Sequence, residues 1–267
     1  MWLDDFAPAE VRRALHRCLA SERWLDAMQA KLPLRSNEAL YEAAFAAYAT
    51  LGESDWLEAI AHHPRIGAQS TASAWSSQEQ AGMSQAQAHT RAQLLALNDE
   101  YEKKFGFVYL VNATGKSADE LLRRLQTRLP QTREQELLTA ADELRQIMRI
   151  RLEKLLGERG AITTHVLDQA LGRPAADIAV TLSLQHDDAW REIATRRTDR
   201  DGRIGHFMVP GVRPEAGVYR LRFSLEGYVG AGFFPFVDLV FRITQPDQHH
   251  HVPLLLSPFG YATYRGS

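Results

Sequence analysis

Cysteine is almost missing from this 267-residue chain, with Cys18 the single one. One thiol excludes an intramolecular disulfide framework and a four-thiolate metal site, and it suits a reducing compartment. No window approaches the roughly 18 uninterrupted apolar residues of a membrane helix. The N-terminal stretch MWLDDFAPAEVRR carries acids where a secretory signal would have a basic and then an apolar region. A cytoplasmic location is the expectation that follows. Excess charge is missing too. Lys and Arg number 31 against 33 Asp and Glu, a net charge of −2, so no strong basic field marks a nucleic-acid binder. Lysine itself is absent from the C-terminal part, because Lys31, Lys103, Lys104, Lys116 and Lys154 all precede residue 160.

That last absence coincides with a change of composition. Residues 1–160 hold 7 Gly and 4 Pro, whereas the remaining 107 hold 10 Gly and 7 Pro. Turn-forming residues become about twice as dense, as a helical domain followed by a strand-and-turn domain requires. In 9–30, Val11, Leu15, Cys18, Leu19 and Leu25 recur at helical spacing. Residues 37–50 and 54–62 repeat the pattern, with Ser54 as N-cap of the latter. Residues 84–105, 117–129 and 132–156 read as three further helices, the last two with Arg and Glu on their outer faces. After Gly160 the period becomes two. ITTHVLD, IAVTLSL, WREIATRR, VYRLRFSL, FVDLVFRIT and HHVPLLL read as strands separated by turn signals. The expectation is a multi-domain chain, an all-α domain over 1–157 and an all-β antiparallel sandwich over 161–267.

Several C-terminal residues are hard to explain by packing alone. His165 lies in a strand otherwise built of Thr, Val and Leu. Arg203 follows the turn TDRDG. His249, His250 and His251 open the last apolar strand, and Tyr264-Arg265-Gly266-Ser267 closes the sequence. Singly, each has a bland explanation. A strand histidine can be a hydrogen-bonded structural residue, Arg203 a solvated hairpin residue, and the last tetrapeptide a frayed end. His249 and His251, on one strand face, could also hold a metal.

Together, THVLDQALGRPAADIAVTL, TDRDGR and HHHVPLLLSPFGYATYRGS resemble the 5-hydroxyisourate hydrolases, which are transthyretin-related enzymes, from about residue 161 to 267. The YRGS ending resembles the enzymes rather than the hormone-carrying transthyretins. EGYVGAGFFPF, over 226–236, is shorter than that family leads one to expect, which implies a truncated helix. Hydrolysis of the strained ring amide needs a water, a base and positive charge for the developing oxyanion. The resemblance places His165 and His251 beside the water, without saying which is the base. It gives Arg203 the substrate oxygens, for which a guanidinium fork is suited. Tyr264, Arg265 and Ser267 would close the pocket, with the Ser267 hydroxyl or terminal carboxylate orienting a histidine and His249 standing behind. It implies no metal, and a homotetramer with the site at a subunit interface.

In the helical part, His62-His63-Pro64-Arg65-Ile66-Gly67 places His63 on a turn, because proline disfavours helix at the preceding residue. The negative end of the helix dipole would favour its protonated form, and a simple helix-capping role is the alternative. Ser76-x-x-Glu79 reads as a capping box before Gln80. Phe105–Ala113 is a β-rich run within a helical context. Gly115-Lys116-Ser117 resembles the end of a phosphate loop, but Leu110 stands where that loop needs glycine.

HPRIG, SxxEQAG, NDEYEKKFGF, TREQEL and RLEKLL, in this order, resemble the 2-oxo-4-hydroxy-4-carboxy-5-ureidoimidazoline (OHCU) decarboxylases, all-helical enzymes, over nearly all of 1–156. Ala68 and Val108 depart from that family's pattern. The chemistry so implied needs neither metal nor organic cofactor: loss of carbon dioxide leaves a carbanion that the imidazolinone delocalises, and one proton is delivered to one face. By the resemblance His63 donates or relays that proton, and Glu79 orients it or binds the ureido group. Pro64, Ser76, Gln80 and the backbone of Tyr109, Leu110, Val111, Asn112 and Ala113 line the pocket. Arg151 would take the substrate carboxylate.

The two activities are consecutive, since the hydrolase product is the decarboxylase substrate. The combined expectation is a bifunctional enzyme of urate catabolism ending in (S)-allantoin. Its partners would be small-molecule substrates, with no nucleic acid or membrane, and the helical domain would add dimeric contacts to the tetramer. Two other readings make different predictions. A transthyretin-like ligand-binding module with a helical oligomerisation domain would lack catalysis, and a histidine-rich metal protein would carry zinc or copper.

Overall fold

The computed structural model describes residues 2–66, 88–158, 160–228 and 232–266. It divides into two compact units, one comprising Leu3 and Ala7–Leu156, the other running from Gly157 to the C-terminus together with Trp2 and Asp4–Phe6.

The first unit is helical. Its helices are α1 (Pro8–His16), α2 (Glu22–Gln29), α3 (Asn37–Tyr48), α4 (Glu53–Ala61), α5 (Ala88–Phe105), α6 (Ala118–Arg128) and α7 (Arg133–Gly157). The expected single helix over 9–30 is two helices. Ser21 is fully buried and its hydroxyl accepts the Trp24 N–H, which starts a new helix. The N-cap of α4 is Gly52, not Ser54, and the Asp55 carboxylate accepts the Gly52 N–H at 2.9 Å. Ser117 caps α6 through the Glu120 N–H at 3.2 Å, so GKS ends a turn, with Gly115 at φ +73°, and begins a helix. The core gathers Leu15, Cys18, Leu19, Trp24, Leu25 and Met28, each at most 1 % exposed. Buried polar ends are met: Trp24 Nε1 donates to the Ala44 carbonyl at 3.1 Å and Tyr48 Oη to that of Ala141 at 2.5 Å.

The second unit is a β-sandwich. One sheet has the order β10 (Gly260–Thr263), β9 (Leu254–Ser257), β1 (Ile162–Asp168), β2 (Arg173–Pro174), with β5 (Arg203–Ile204) and β8 (His250–His251) also paired to β1. The other has the order β4 (Ala189–Arg197), β3 (Ala179–His186), β6 (Gly217–Ser224), β7 (Phe236–Ile243). Ile162, Val166, Val180, Leu182, Leu221, Phe223, Leu254 and Leu256 meet between them, as alternation within each strand demands. The expected purely antiparallel arrangement needs correction in the first sheet, where β1 runs parallel to β8 and β9. The expected strand HHVPLLL is also interrupted, because Pro253 has no N–H to offer a ladder and divides β8 from β9. Among the described residues of 226–236 there is no helix.

Candidate active sites

The first candidate site begins where α4 stops. His63 N–H still reaches back to the Ile60 carbonyl at 2.9 Å, and Pro64 then turns the chain away. The turn is strapped to α5. Arg65 donates to Asp99 at 2.7 Å and, through Nε, to Glu102 at 3.0 Å, and Asn98 Nδ2 donates to the Ile66 carbonyl at 2.9 Å. The NDEYE segment of α5 therefore fixes the turn that carries His63.

Across from this turn lies the β-rich run 107–113, which forms neither helix nor strand. Side chains take over the backbone groups that a sheet would have satisfied. Arg128 Nη1 donates to the Leu110 carbonyl at 2.8 Å and Glu143 accepts the Asn112 N–H at 2.8 Å. Arg128 is paired with fully buried Glu136, which also accepts the Tyr101 hydroxyl. The Arg128 guanidinium lies 4.9 Å from the Tyr109 ring centre. Burial pushes the Tyr109 hydroxyl above its ordinary range, so it stays protonated.

His63, Pro64, Ile66, Tyr109–Ala113, Ile147 and Arg151 line one cavity of about 20 Å³. The sequence-predicted His63, Pro64, Tyr109, Leu110, Val111, Asn112, Ala113 and Arg151 are thus brought together. Ser76, Glu79 and Gln80 lie outside the described residues. One expectation is reversed. Burial, then the positive charge of Arg151, then that of His62 lower the His63 imidazole to about 3, and desolvation outweighs the helix dipole. His63 is neutral here. The acids and arginines of α6 and α7 are not all on outer faces either, since Arg128, Glu136, Glu143 and Arg151 are buried. Spacing could have found Arg128, which continues the buried stripe Leu121, Leu125 by three residues.

The second candidate site lies on the sheet face opposite the sandwich core. On β1, Ile162, Thr164 and Val166 are buried in the core direction, which leaves Thr163 and His165 on the other face. His165 pairs with Arg203 of β5, and Thr163 with His251 of β8. Arg203 is fixed by its turn, in which Asp199 accepts the N–H groups of Asp201 at 2.9 Å and Arg203 at 2.8 Å. Gly202 sits at φ +70° with room for no side chain, because a Cβ would fall 2.4 Å from the Val166 carbonyl. Burial first, then the Arg203 charge, lowers the His165 imidazole from its ordinary value. Its Nε2 is buried and has no hydrogen-bond partner among the described residues.

Thr163 was not anticipated from sequence. Its hydroxyl lies 2.9 Å from His249 Nε2 and 2.8 Å from His251 Nδ1, so it bridges two predicted histidines. The alternation Thr163, x, His165 was the available signal. Gly266 N–H donates to the His251 carbonyl at 2.9 Å. A Cβ on Gly266 would meet the His251 ring at 2.5 Å, so only glycine allows the C-terminal segment to lie flat on that imidazole. Tyr264, Arg265 and His251 line a cleft of about 330 Å³ with the β7 edge, whereas Arg203 lines a different groove of about 630 Å³. Within the described residues of one chain, Tyr264 and Arg265 therefore do not close over Arg203. Ser267 lies outside the described residues. The described residues contain no cluster of three or more metal-type ligands, and the pair His249–His251 is bridged by a hydroxyl.

Comparison with known proteins divides the chain at the same place. A family described as OHCU decarboxylase matches residues 5–153, and the HIUase/Transthyretin family matches residues 162–266. The uric acid degradation bifunctional protein TTL of Arabidopsis thaliana is 32 % identical over 94 % of this chain and 96 % of its own length. The 5-hydroxyisourate hydrolase of Caulobacter vibrioides is 44 % identical, covering 40 % of this chain and 97 % of its own. A solved OHCU decarboxylase, crystallised in the presence of (S)-allantoin, is 31 % identical over 54 % of this chain and 96 % of its own, with a TM-score of 0.48.

Proposed function

The chain belongs to the family of bifunctional uric acid degradation proteins, an OHCU decarboxylase unit followed by a HIUase/transthyretin unit, and from that membership we propose how its two sites work. The protein hydrolyses 5-hydroxyisourate in the sandwich and decarboxylates the product in the helical unit, yielding allantoin.

In the sandwich, His165, whose Nε2 has no partner among the described residues, and the adjacent Arg203 carry the reading. A water bound there loses a proton to a histidine as its oxygen bonds the ring carbonyl carbon. Arg203 holds the oxygen on which negative charge grows, and the proton is returned to the leaving ring nitrogen as the C–N bond breaks. Because burial and the Arg203 charge hold His165 below the ordinary histidine value, its neutral, proton-accepting form persists to lower pH than in a free imidazole.

In the helical unit, the sharing of one cavity by His63 and Arg151 carries the reading. Arg151 receives the substrate carboxylate. That anion offsets the arginine charge which, with burial, keeps His63 neutral, so substrate binding favours proton uptake by the imidazole. The C–C bond to the carboxylate then breaks and the electron pair enters the imidazolinone. His63 delivers its proton to the carbon on one face, and (S)-allantoin leaves. Glu79 orients His63 in this scheme, and Ser76 and Gln80 complete the wall. Replacement of His63 by Asn abolishes decarboxylation and leaves hydrolysis at the wild-type rate; equal loss of both activities contradicts the division of labour.

The assembly we infer is a homotetramer through the sandwich with dimeric contacts between helical units, Ser267 joining the hydrolase site within it. The exposure of Phe259 and Phe233, at 85 % and 73 %, supports this reading, as such faces seek cover. Light scattering during gel filtration tests it. A cytoplasmic location belongs to the same reading; among the described residues no helix is long and apolar enough to cross a membrane.

A further inference from the structure

Thr163 is the least expected member of the hydrolase face. It is a buried hydroxyl between two imidazoles, 2.9 Å from His249 Nε2 and 2.8 Å from His251 Nδ1. A hydroxyl has one proton. It can donate to only one of the two ring nitrogens, and the other ring must then donate to its oxygen. The tautomers of His249 and His251 are therefore tied together by Thr163.

We propose that Thr163 is a positioning residue that connects His251 to His249 as a proton relay, with His251 as the base. The proposal rests on the hydrolase reading above and goes beyond it by choosing between the histidines. In the resting arrangement His251 Nδ1–H donates to Thr163 Oγ1 and Thr163 Oγ1–H donates to His249 Nε2. Water gives its proton to His251 Nε2 as its oxygen bonds the carbonyl carbon. His251 passes its Nδ1 proton to Thr163 Oγ1, and Thr163 passes its own to His249 Nε2. His251 is then neutral in its other tautomer, and the positive charge rests on His249, one residue group further from the reacting carbon. When the C–N bond breaks, His251 Nε2 gives its proton to the leaving nitrogen. The two inner transfers reverse, which restores the resting arrangement with one water consumed.

The surroundings fit this division. Gly266 lies directly against the His251 ring and fixes its plane, and the His249 and His251 rings are nearly parallel, 6.2 Å apart at 18°. Arg203 and His165 occupy the neighbouring strand positions on the same face. Among the described residues, the charged or titratable groups about the relay are His165 on β1, Arg203 on β5, and His250 on β8. The adjoining cleft adds Asp238 and Arg242 of β7 and Tyr264 and Arg265 of the C-terminal segment.

The test uses the full chain with Thr163→Val, which keeps the shape and removes the hydroxyl, and Thr163→Ser, which keeps the hydroxyl. Decay of 5-hydroxyisourate is followed across pH in water and in deuterium oxide, with decarboxylation in the same samples as the control for folded protein. The relay predicts that Val lowers hydrolytic kcat on the order of tenfold or more. Val should also alter the pH profile and reduce the solvent isotope effect, and Ser should restore all three. The relay is overturned if Val retains the wild-type rate, or if it loses rate with an unchanged pH profile and isotope effect. It is equally overturned if Ser is as impaired as Val. If the wild type itself does not accelerate hydrolysis, the hydrolase reading fails first, and that result is distinct from the others.

Discussion

Replacing Arg128 by Met isolates the buried pair behind the decarboxylase cavity. The substitution keeps length and apolar bulk, but it removes the guanidinium from Glu136 and from the Leu110 carbonyl. Glu136 is 0 % exposed and would retain only the Tyr101 hydroxyl. Breaking one side of a buried pair costs about 3–5 kcal/mol, because an uncompensated charge is left behind. The unpartnered Leu110 carbonyl falls within that range rather than adding fully to it. For a domain of this size the loss amounts to a fall on the order of 10 °C in the melting of the helical unit. Calorimetry of the whole chain reads it, and 5-hydroxyisourate decay reports whether the sandwich remains intact. The double variant Arg128→Met with Glu136→Leu should regain most of the stability, since an apolar pair replaces an ionic one. Its decarboxylation should stay weakened, because Leu110 is still unheld. A single variant within about 1 kcal/mol of wild type, or a double variant no more stable than the single, would refute the argument.

Three further outcomes follow from the same geometry. Gly266→Ala forces the His251 ring or the C-terminal segment to move by about 1 Å, so hydrolysis should fall on the order of 100-fold while decarboxylation is unchanged; wild-type hydrolysis would contradict the contact. Glu143→Ala releases the Asn112 N–H and should raise the decarboxylase KM more than it lowers kcat, with Glu143→Gln intermediate. A kcat loss at constant KM would show only unfolding. His63 is held near 3 when folded, against about 6.5 when unfolded, so between those values the unfolded chain binds the extra proton. Stability of the helical unit should therefore fall as pH drops from 6.5 toward 3, by at most about 1.4 kcal/mol per unit from this group. His63→Asn should flatten that slope, and an identical slope in the variant would exclude the effect.

What was legible in the sequence follows from how far each signal reaches. Period-two alternation in ITTHVLD predicts β1 and the face of His165, because strand geometry is local. Parallel pairing of β1 with β8 and β9 is not local, and nothing in either strand announces its direction. The split of 9–30 at Ser21 is hidden because Cys18, Leu19 and Leu25 continue the apolar spacing across the break while a buried cap interrupts the backbone. His63 and Arg151 lie 88 positions apart in the sequence, and a resemblance brought them together before any geometry did. Arg128, Glu136 and Glu143 look like surface charges in the sequence but are buried, because charge is a poor guide to exposure where the partners are distant in sequence. Thr163 escaped notice for a related reason. A hydroxyl has no signature until its partners are placed.

The most direct test of the account is to generate 5-hydroxyisourate from urate with urate oxidase and add this protein alone, following ultraviolet absorbance and circular dichroism together. Two active sites on one chain predict faster decay of both successive intermediates and optically pure (S)-allantoin as the product. Racemic allantoin formed at the spontaneous rate would contradict the account.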